Sequence, residues 1–300
     1  MIRRSIRLLV LVFSLAALPA FGQEDQSLFD VSASIDWVRG LLSMEASFNL
    51  AQAGIKLPTG RLAGEELLND AYPGLLRQFL LSLKVDSSAT VKTLIDRGDL
   101  SLGDLDVICA GAVKIPPGIS SDLTRMTGKY TISLANLCAY LNRNKTTAEP
   151  ATPLLPVPAA EYSGIIIIAD NVLPIHGRKT QTLVEPCLFP KIWDSDMNLV
   201  YDRNIFSPAS TEIKPMVSYT TAGNIFRSTP SGLEGDLAAL AGPKPLRIIA
   251  REVFGISPTD PVIDREDALS ILSTENNRRL LREGRVIVVL DASQLTRAKL

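Results

Sequence analysis

The sequence predicts an α+β fold of two small domains, each a sheet with helices packed on it. Three observations predict this class. Residues 42–50 alternate apolar and polar side chains without a miss, which is the pattern of a half-buried strand. Apolar residues recur at helical spacing over residues 61–83. A proline-rich run then divides the chain into halves that each contain strand and helix patterns.

The first 22 residues are predicted to be a secretory signal peptide. Basic residues precede an apolar run over residues 8–18, Pro19 breaks that run, and Ala20 and Gly22 stand at the −3 and −1 positions of a cleavage site. The run is too short to span a bilayer, although an uncleaved anchor is the alternative. Gln23 stands where a lipoprotein signal needs a cysteine, so we expect a periplasmic or otherwise exported protein that begins near Gln23.

Composition argues against a nucleic-acid partner and against a transmembrane span after residue 22. Without residues 1–22 the chain has 28 basic residues against 32 acidic ones, and no block of lysine and arginine. A nucleic-acid partner, which needs basic side chains along one face, is therefore not expected. No later stretch reaches 18 apolar residues, so no transmembrane span is expected after signal cleavage.

The three cysteines Cys109, Cys138 and Cys187 lie among apolar neighbours and show no CxxC spacing. An odd number leaves one thiol unpaired, and the spacing signals neither a disulfide framework nor a zinc site. We expect buried thiols that pack as small hydrophobic side chains, with a Cys109–Cys138 bridge as the alternative.

Prolines at positions 150, 153, 156 and 158 favour an extended, semi-rigid segment. They divide the chain into an N-terminal α+β domain at residues 23–142, a proline-rich linker at 143–160 and a C-terminal α/β domain at 161–300. Two rigid domains on a spacer suit a protein that bridges partners or assembles with itself.

The N-terminal half is predicted to contain five elements: a strand at 42–50, a helix at 61–83, short helices at 88–95 and 101–112, and a strand at 129–134. Pro73 interrupts the first helix but not its apolar stripe, which predicts a kink or two abutting helices. Ser88 is expected to cap the second helix, and Ser101 with Asp104 forms a capping box for the third.

The C-terminal half begins with residues 165–168, four isoleucines that predict a central strand buried on both faces. Later predicted elements are a hairpin at 187–193 and 198–201, a strand at 246–254, a helix from Asp264 to Gly284 and a strand at 285–290. Asp267 would complete a capping box with Asp264. The polar run at 275–279 is expected to face solvent or a partner.

Candidate sites for chemistry are weak. A phosphate-binding loop needs glycines directly after the first strand, but Asp170 and Asn171 follow it and no glycine comes before Gly177. We expect Asp170 and Asn171 to bond their own turn. His176, the single histidine, lies in no catalytic motif and is predicted to be an exposed loop residue.

A calcium loop is the second weak candidate. Asp194, Asp196 and Asn198 match its opening, but Leu199 and Ile205 stand where the glycine and the bidentate glutamate belong. A hairpin turn is the preferred interpretation. The sequence therefore assigns no catalytic, cofactor-binding or metal-binding residue and predicts no cofactor.

Residues 60–91 resemble the helix and following loop of the FlgP-like envelope proteins, which include small Helicobacter surface lipoproteins and flagellar outer-membrane disk proteins. The likeness rests on the amphipathic helix, on Val85-Asp86-Ser87 and on Thr90 and Val91, with a strand like 129–134 closing the module. The C-terminal half is similar to the companion region of larger, spirochaetal exported relatives. Its marks are residues 162–164, 190–194 and 267–291.

The resemblance implies a non-enzymatic envelope component, associated in some members with the flagellum. The chain departs from the pattern in lacking a lipid-bearing cysteine and in placing Pro73 within the helix. We therefore predict an exported structural or interaction protein, with envelope or flagellar proteins, and further copies of itself, as partners.

Two alternatives remain open. A periplasmic protein that binds a small ligand or a cell-wall fragment would have a pocket lined by Trp193, Tyr201 and His176. An enzyme would have His176 against a carboxylate or hydroxyl group. If the domains fold independently, Leu76→Asp should unfold the N-terminal half alone.

Overall fold

The computed structural model describes residues 28–143, 145–209, 211–225 and 235–298. The predicted signal peptide lies outside the described residues. Within them, no helix has both the length and the apolar character needed to cross a membrane.

Residues 29–141 of the N-terminal domain form β1 (Phe29–Asp36), β2 (Leu41–Asn49), α1 (Arg61–Ser82), α2 (Val91–Asp96), α3 (Leu102–Ala110), β3 (Val113–Ile119), β4 (Arg125–Ser133) and α4 (Leu134–Leu141).

The C-terminal segment supplies the remaining elements: β5 (Ile165–Ala169), β6 (Leu173–Pro174), β7 (Gln181–Thr182), β8 (Ile192–Asp194), β9 (Leu199–Tyr201), β10 (Ser218–Thr220), α5 (Ala222–Ile225), α6 (Gly235–Ala241), β11 (Leu246–Ile249), β12 (Glu252–Phe254), β13 (Asp260–Ile263), α7 (Arg265–Leu272), α8 (Glu275–Arg282), β14 (Val286–Leu290), α9 (Ala292–Leu295) and β15 (Thr296–Ala298).

The predicted α+β fold of two domains is confirmed. In the N-terminal domain an antiparallel sheet runs in the order β15-β1-β2-β4-β3, and the predicted strands 42–50 and 129–134 are β2 and β4. Helix α1 is a single helix that contains Pro73, and it buries Leu68 and Leu76. Because its apolar stripe continues past the proline, tertiary packing holds the helix together where propensity opposes it.

One predicted cap in this domain is right and one is wrong. Ser101 and Asp104 cap α3, with Asp104 N–H donating to Ser101 Oγ at 3.1 Å. Ser88 does not cap α2, because its hydroxyl donates to Asp86 Oδ1 at 2.9 Å within a turn. Thr90 takes the capping position instead and accepts the Thr93 N–H at 3.3 Å.

The C-terminal domain contains a parallel sheet in the order β10-β14-β5-β11. The four isoleucines form β5, which has neighbours on both sides, so the predicted central strand is confirmed. A second sheet, β12-β13-β8-β9, contains the predicted hairpin as the antiparallel pair β8 and β9. Strands β6 and β7 pair separately.

Two predicted elements of this domain are each divided in the structure. The strand at 246–254 is β11 and β12, which lie in different sheets. The helix from Asp264 is α7 and α8, because Thr274 caps a new helix by accepting the Asn277 N–H at 3.2 Å. The Asp264 side chain caps nothing and instead pairs with Arg251 at 2.8 Å.

The proline-rich segment lies along the C-terminal domain rather than apart from it. No helix or strand occurs over residues 145–160. Asn277, expected at a solvent or partner face, is 1 % exposed, and its amide donates to the Ala160 carbonyl at 2.9 Å and accepts the Tyr162 N–H at 3.0 Å. The polar run at 275–279 therefore includes a buried anchor for the end of this segment.

The two domains share one hydrophobic core. A single cluster of buried side chains runs from the N-terminal sheet into the C-terminal domain. Strand β15 pairs with β1, so the last described strand completes the N-terminal sheet. The chain at residues 84–87 also bonds across the junction, with Phe189 N–H donating to the Val85 carbonyl at 2.8 Å.

Candidate functional site

A cleft of about 590 Å³ lies where the two domains meet, and we call it the interdomain cleft. Its acidic lining residues are Asp86, Asp99 and Asp104 of the N-terminal domain and Asp202 of the C-terminal domain. Its basic lining residues are Arg143, Lys145, Lys191 and Arg203. Small-ligand sites commonly occur at domain junctions and have volumes of roughly 300–1,000 Å³.

Arg203 holds the junction from the C-terminal side. Its guanidinium donates to Asn142 Oδ1 at 2.9 Å and to the Leu141 carbonyl at the end of α4. It also lies over the Phe189 ring, 5.0 Å from the centroid. Burial lowers the pKa of Arg203, and the carbonyl and amide acceptors each take one of its five N–H donors.

Lys145 fixes the start of the proline-rich segment. Its ammonium donates to the carbonyl of Arg203 at 2.8 Å and to that of Phe206. Burial, with Arg203 as a second cause, lowers the pKa of Lys145. Both basic side chains are thus bound to main-chain carbonyls, which ties the linker and α4 to the loop after β9.

The acidic side of the cleft is organised by Asp104. Its carboxylate accepts the Tyr140 hydroxyl at 2.5 Å and the Ser101 N–H at 2.9 Å, while Arg143 lies 3.6 Å away. These contacts, the Tyr140 hydrogen bond foremost, lower the pKa of Asp104 to about 2. The carboxylate therefore stays charged down to strongly acid pH.

Two charged groups in the cleft differ from the others. The carboxylate of Asp99 and the ammonium of Lys191 make no hydrogen bond or ion pair to the described residues. Asp99 is exposed and comes from the N-terminal domain, whereas Lys191 is half-buried and comes from the C-terminal domain. Sequence reasoning missed both, because a single charged residue in a loop carries no signal that separates binding from solvation.

His176 is not the exposed loop residue that the sequence predicts. Its Nδ1 lies 2.6 Å from Glu252 Oε2, its side chain is 33 % exposed, and its ring packs against Phe254 at a centroid distance of 6.1 Å. The local reason is that the loop after β6 folds back on β12, where the His176 N–H donates to Val253. The structure thus supplies the carboxylate contact that an enzyme hypothesis requires. No hydroxyl or thiol of the described residues hydrogen bonds to the ring.

The three residues proposed to line a pocket are absent from the lining of the interdomain cleft. Trp193 stacks edge-on with Phe254 at 5.7 Å and donates to Asp260 at 3.4 Å. Tyr201 is fully buried and donates to the Met216 carbonyl at 3.1 Å. The interdomain cleft is lined by neither of them, nor by His176.

Asp194 forms a turn, as the preferred interpretation of that segment predicts. Its carboxylate accepts the N–H of Asp196 at 3.0 Å and that of Asn198 at 2.7 Å. Among the described residues, no three histidine, cysteine or acidic side chains are placed to hold a metal ion together. Asp170 accepts the Asn171 amide at 3.2 Å, as expected of a self-bonded turn.

The cysteines are buried free thiols, and none is bridged in this structure. Burial raises the pKa of Cys138 to about 12 and that of Cys109 to about 11. Thiols in this state are poor nucleophiles, because reaction requires the thiolate. Their packing role matches the expectation from their apolar neighbours.

Residues 29–140 match the family described as the N-terminal domain of Treponema pallidum Tp0624, and residues 164–292 match the family described as its second domain. The chain belongs to this Tp0624-type family. The match confirms the resemblance to spirochaetal two-domain proteins, whereas the FlgP-like resemblance is not confirmed. No curated protein matches the chain. The interdomain cleft is lined by residues of both matched segments and by Leu141, Arg143 and Lys145 between them.

Proposed function

We propose that the chain is an exported, non-enzymatic structural or interaction protein of the bacterial cell envelope, with flagellar or outer-membrane proteins as its neighbours. One observation carries this proposal: the two domains are joined as a single rigid unit. Their hydrophobic core is continuous, and Arg203 and Lys145 bond main-chain carbonyls at the junction.

Rigid joining supports a scaffold. Domains within one chain usually meet through modest, polar interfaces and move relative to each other, unless the interface is large and hydrophobic. Here buried apolar side chains of both domains pack in one cluster, and a strand from one end of the chain completes the sheet of the other domain. Surfaces on the two domains are therefore held at a fixed spacing, as bridging between two envelope partners requires.

The test is cross-linking in living cells followed by purification of the tagged chain and identification of bound proteins by mass spectrometry. Wild-type chain should recover flagellar or outer-membrane proteins. Arg203→Gln removes the charged group at the junction and should recover fewer of them, whereas Arg178→Gln, on an exposed loop away from the cleft, should match wild type. Recovery of the chain alone, as a monomer, would contradict the proposal.

Export of the protein is tested by a separate measurement. N-terminal sequencing of the protein from the periplasmic fraction should give a chain that begins near Gln23. A full-length chain retained in the cytoplasm would contradict the predicted signal peptide and, with it, the envelope location.

A second candidate function, the binding of a small ligand, is favoured by the interdomain cleft. Its volume of about 590 Å³ suits a small molecule, and unpartnered charges of both signs line it. A scaffold does not need such a cavity at the centre of its junction.

A further inference from the structure

We infer that the interdomain cleft binds a small zwitterion, namely an amino acid or short peptide with a free ammonium group and a free carboxylate, which bridges the two domains. This inference rests on the second proposed function. Asp99 would receive the ammonium group and Lys191 the carboxylate.

The argument begins with the charged groups that are already used. Asp202 is buried and accepts the N–H groups of Asn204 and Ile205 at 3.0 and 3.1 Å. Asp104 is bonded by Tyr140, and Arg203 and Lys145 are bonded to carbonyls. These groups shape the walls of the cleft, and their hydrogen bonds would have to break before they could serve a ligand.

The side chains of Asp99 and Lys191 make no hydrogen bond or ion pair to the described residues, although the Asp99 charge also acts on Arg203, and their backbones are held in place. The Asp99 N–H donates to the Leu94 carbonyl at 2.9 Å, directly after Gly98, whose φ of +79° ends α2. The Lys191 N–H donates to Asp260 Oδ1 at 3.1 Å, and Asp260 itself is fully buried. Fixed backbones with unpaired side-chain charges are what a preorganised polar site requires.

The signs and places of these two charges select the ligand class. One is negative and comes from the N-terminal domain, and the other is positive and comes from the C-terminal domain. A simple anion would be attracted by Lys191 and repelled by Asp99. A simple cation would be attracted by Asp99 and repelled by Lys191. A molecule with both charges satisfies both groups at once.

The remaining lining accounts for the middle of the ligand. Leu94, Leu100, Leu141 and Phe189 contribute apolar surface to the same cleft. The other ten of the fourteen lining residues are polar or charged, so this apolar surface is a small patch within a polar wall. We therefore expect an alkyl side chain between the two charged ends.

The test is isothermal titration calorimetry of the full chain with Ala-Leu-Ala that has free ends. The same peptide with an acetylated amino end or an amidated carboxyl end should bind about tenfold more weakly, as loss of a charged hydrogen bond predicts. Lys191→Met should weaken the free peptide about tenfold but leave the amidated peptide unchanged. Asp99→Asn should weaken binding of the free peptide about tenfold but leave binding of the acetylated peptide unchanged. A titration with leucine in place of the peptide tests whether the cleft binds a free amino acid.

Lys179→Met and Asp70→Asn, exposed positions outside the cleft, are the matched controls and should bind all forms as wild type does. Equal binding of free and blocked peptides would overturn the inference. If succinate or putrescine binds and no peptide does, the zwitterion class is wrong but the ligand-binding function stands. If no probe binds, both are wrong, while the scaffold proposal is tested separately by cross-linking.

Discussion

The two principal sheets of this chain are built in opposite ways. In the N-terminal sheet, β2 alternates buried and more exposed residues, with Met44 buried and Glu45 exposed, because α1 covers one face. In the C-terminal parallel sheet, β14 is buried at every position and β5 at all but one. Antiparallel sheets can leave a face to water, whereas parallel sheets are covered on both.

The two sheets are therefore expected to tolerate different substitutions. One face of the N-terminal sheet can accept polar substitutions, while the parallel sheet has no such face within β14. Because the core is shared, a substitution that disrupts the covered face of the N-terminal sheet should also destabilise the other domain. Three measurements test this contrast between the two sheets.

The largest effect is expected for Leu76→Asp. Leu76 is fully buried on α1, so an unpaired charge there should lower the free energy of unfolding by at least about 4 kcal/mol. The sequence alone predicts that only the N-terminal half unfolds, but the shared core leads us to expect that both domains become sensitive to protease. Leu62→Asp, on the same helix and 66 % exposed, is the control and should behave as wild type. Cleavage confined to the N-terminal half would show that the two halves unfold independently despite the shared core.

A smaller effect separates two glycines, one in each domain. A Cβ on Gly164, directly before β5, would lie 2.6 Å from the Ala241 carbonyl oxygen at the end of α6. Gly164→Ala should therefore cost about 1–3 kcal/mol, because strand and helix backbones must separate. Gly74→Ala in α1 meets no atom within 4 Å and should stabilise by about 0.5–1 kcal/mol through helix propensity. Urea denaturation measures both, and equal shifts would show that the parallel sheet is not tightly covered.

The smallest effect concerns pH at the junction. The folded-state pKa of Asp104 is lowered from 3.8 to about 2, mainly by Tyr140, so the unfolded chain binds more protons between these values. Its contribution to stability should be complete above about pH 4 and lost as the pH falls towards 2. Tyr140→Phe and Asp104→Asn should each flatten the fall of the urea midpoint over this interval. An unchanged slope in both variants would mean that the pair does not stabilise the junction.

Local chemistry made part of the structure predictable from sequence. Residues 42–50 and 165–168 specify an exposed-face strand and a buried strand by pattern alone, and Ser101 with Asp104 specifies a helix start within four residues. The division of residues 246–254 into two strands was not predictable, because both parts have strand patterns and the change of sheet is a tertiary event.

The candidate site depended even more on tertiary structure. Asp99 and Lys191 are far apart in sequence and lie in loops, so no spacing rule joins them. The sequence predicts an exposed His176 because its partner Glu252 is 76 residues away and no local pattern joins them. The polar neighbours of Asn277 predict that it faces solvent or a partner, whereas three hydrogen bonds satisfy its buried amide.

The fold class, most of the elements and the absence of any recognisable catalytic motif can therefore be predicted from local sequence patterns. These follow from periodicity and capping, which act over a few residues. Tertiary structure alone decided that the domains share a core, that β15 completes the first sheet and that a charged cleft lies between them. The physical reason is that burial and pairing between distant segments depend on which surfaces meet, and local patterns do not record that choice.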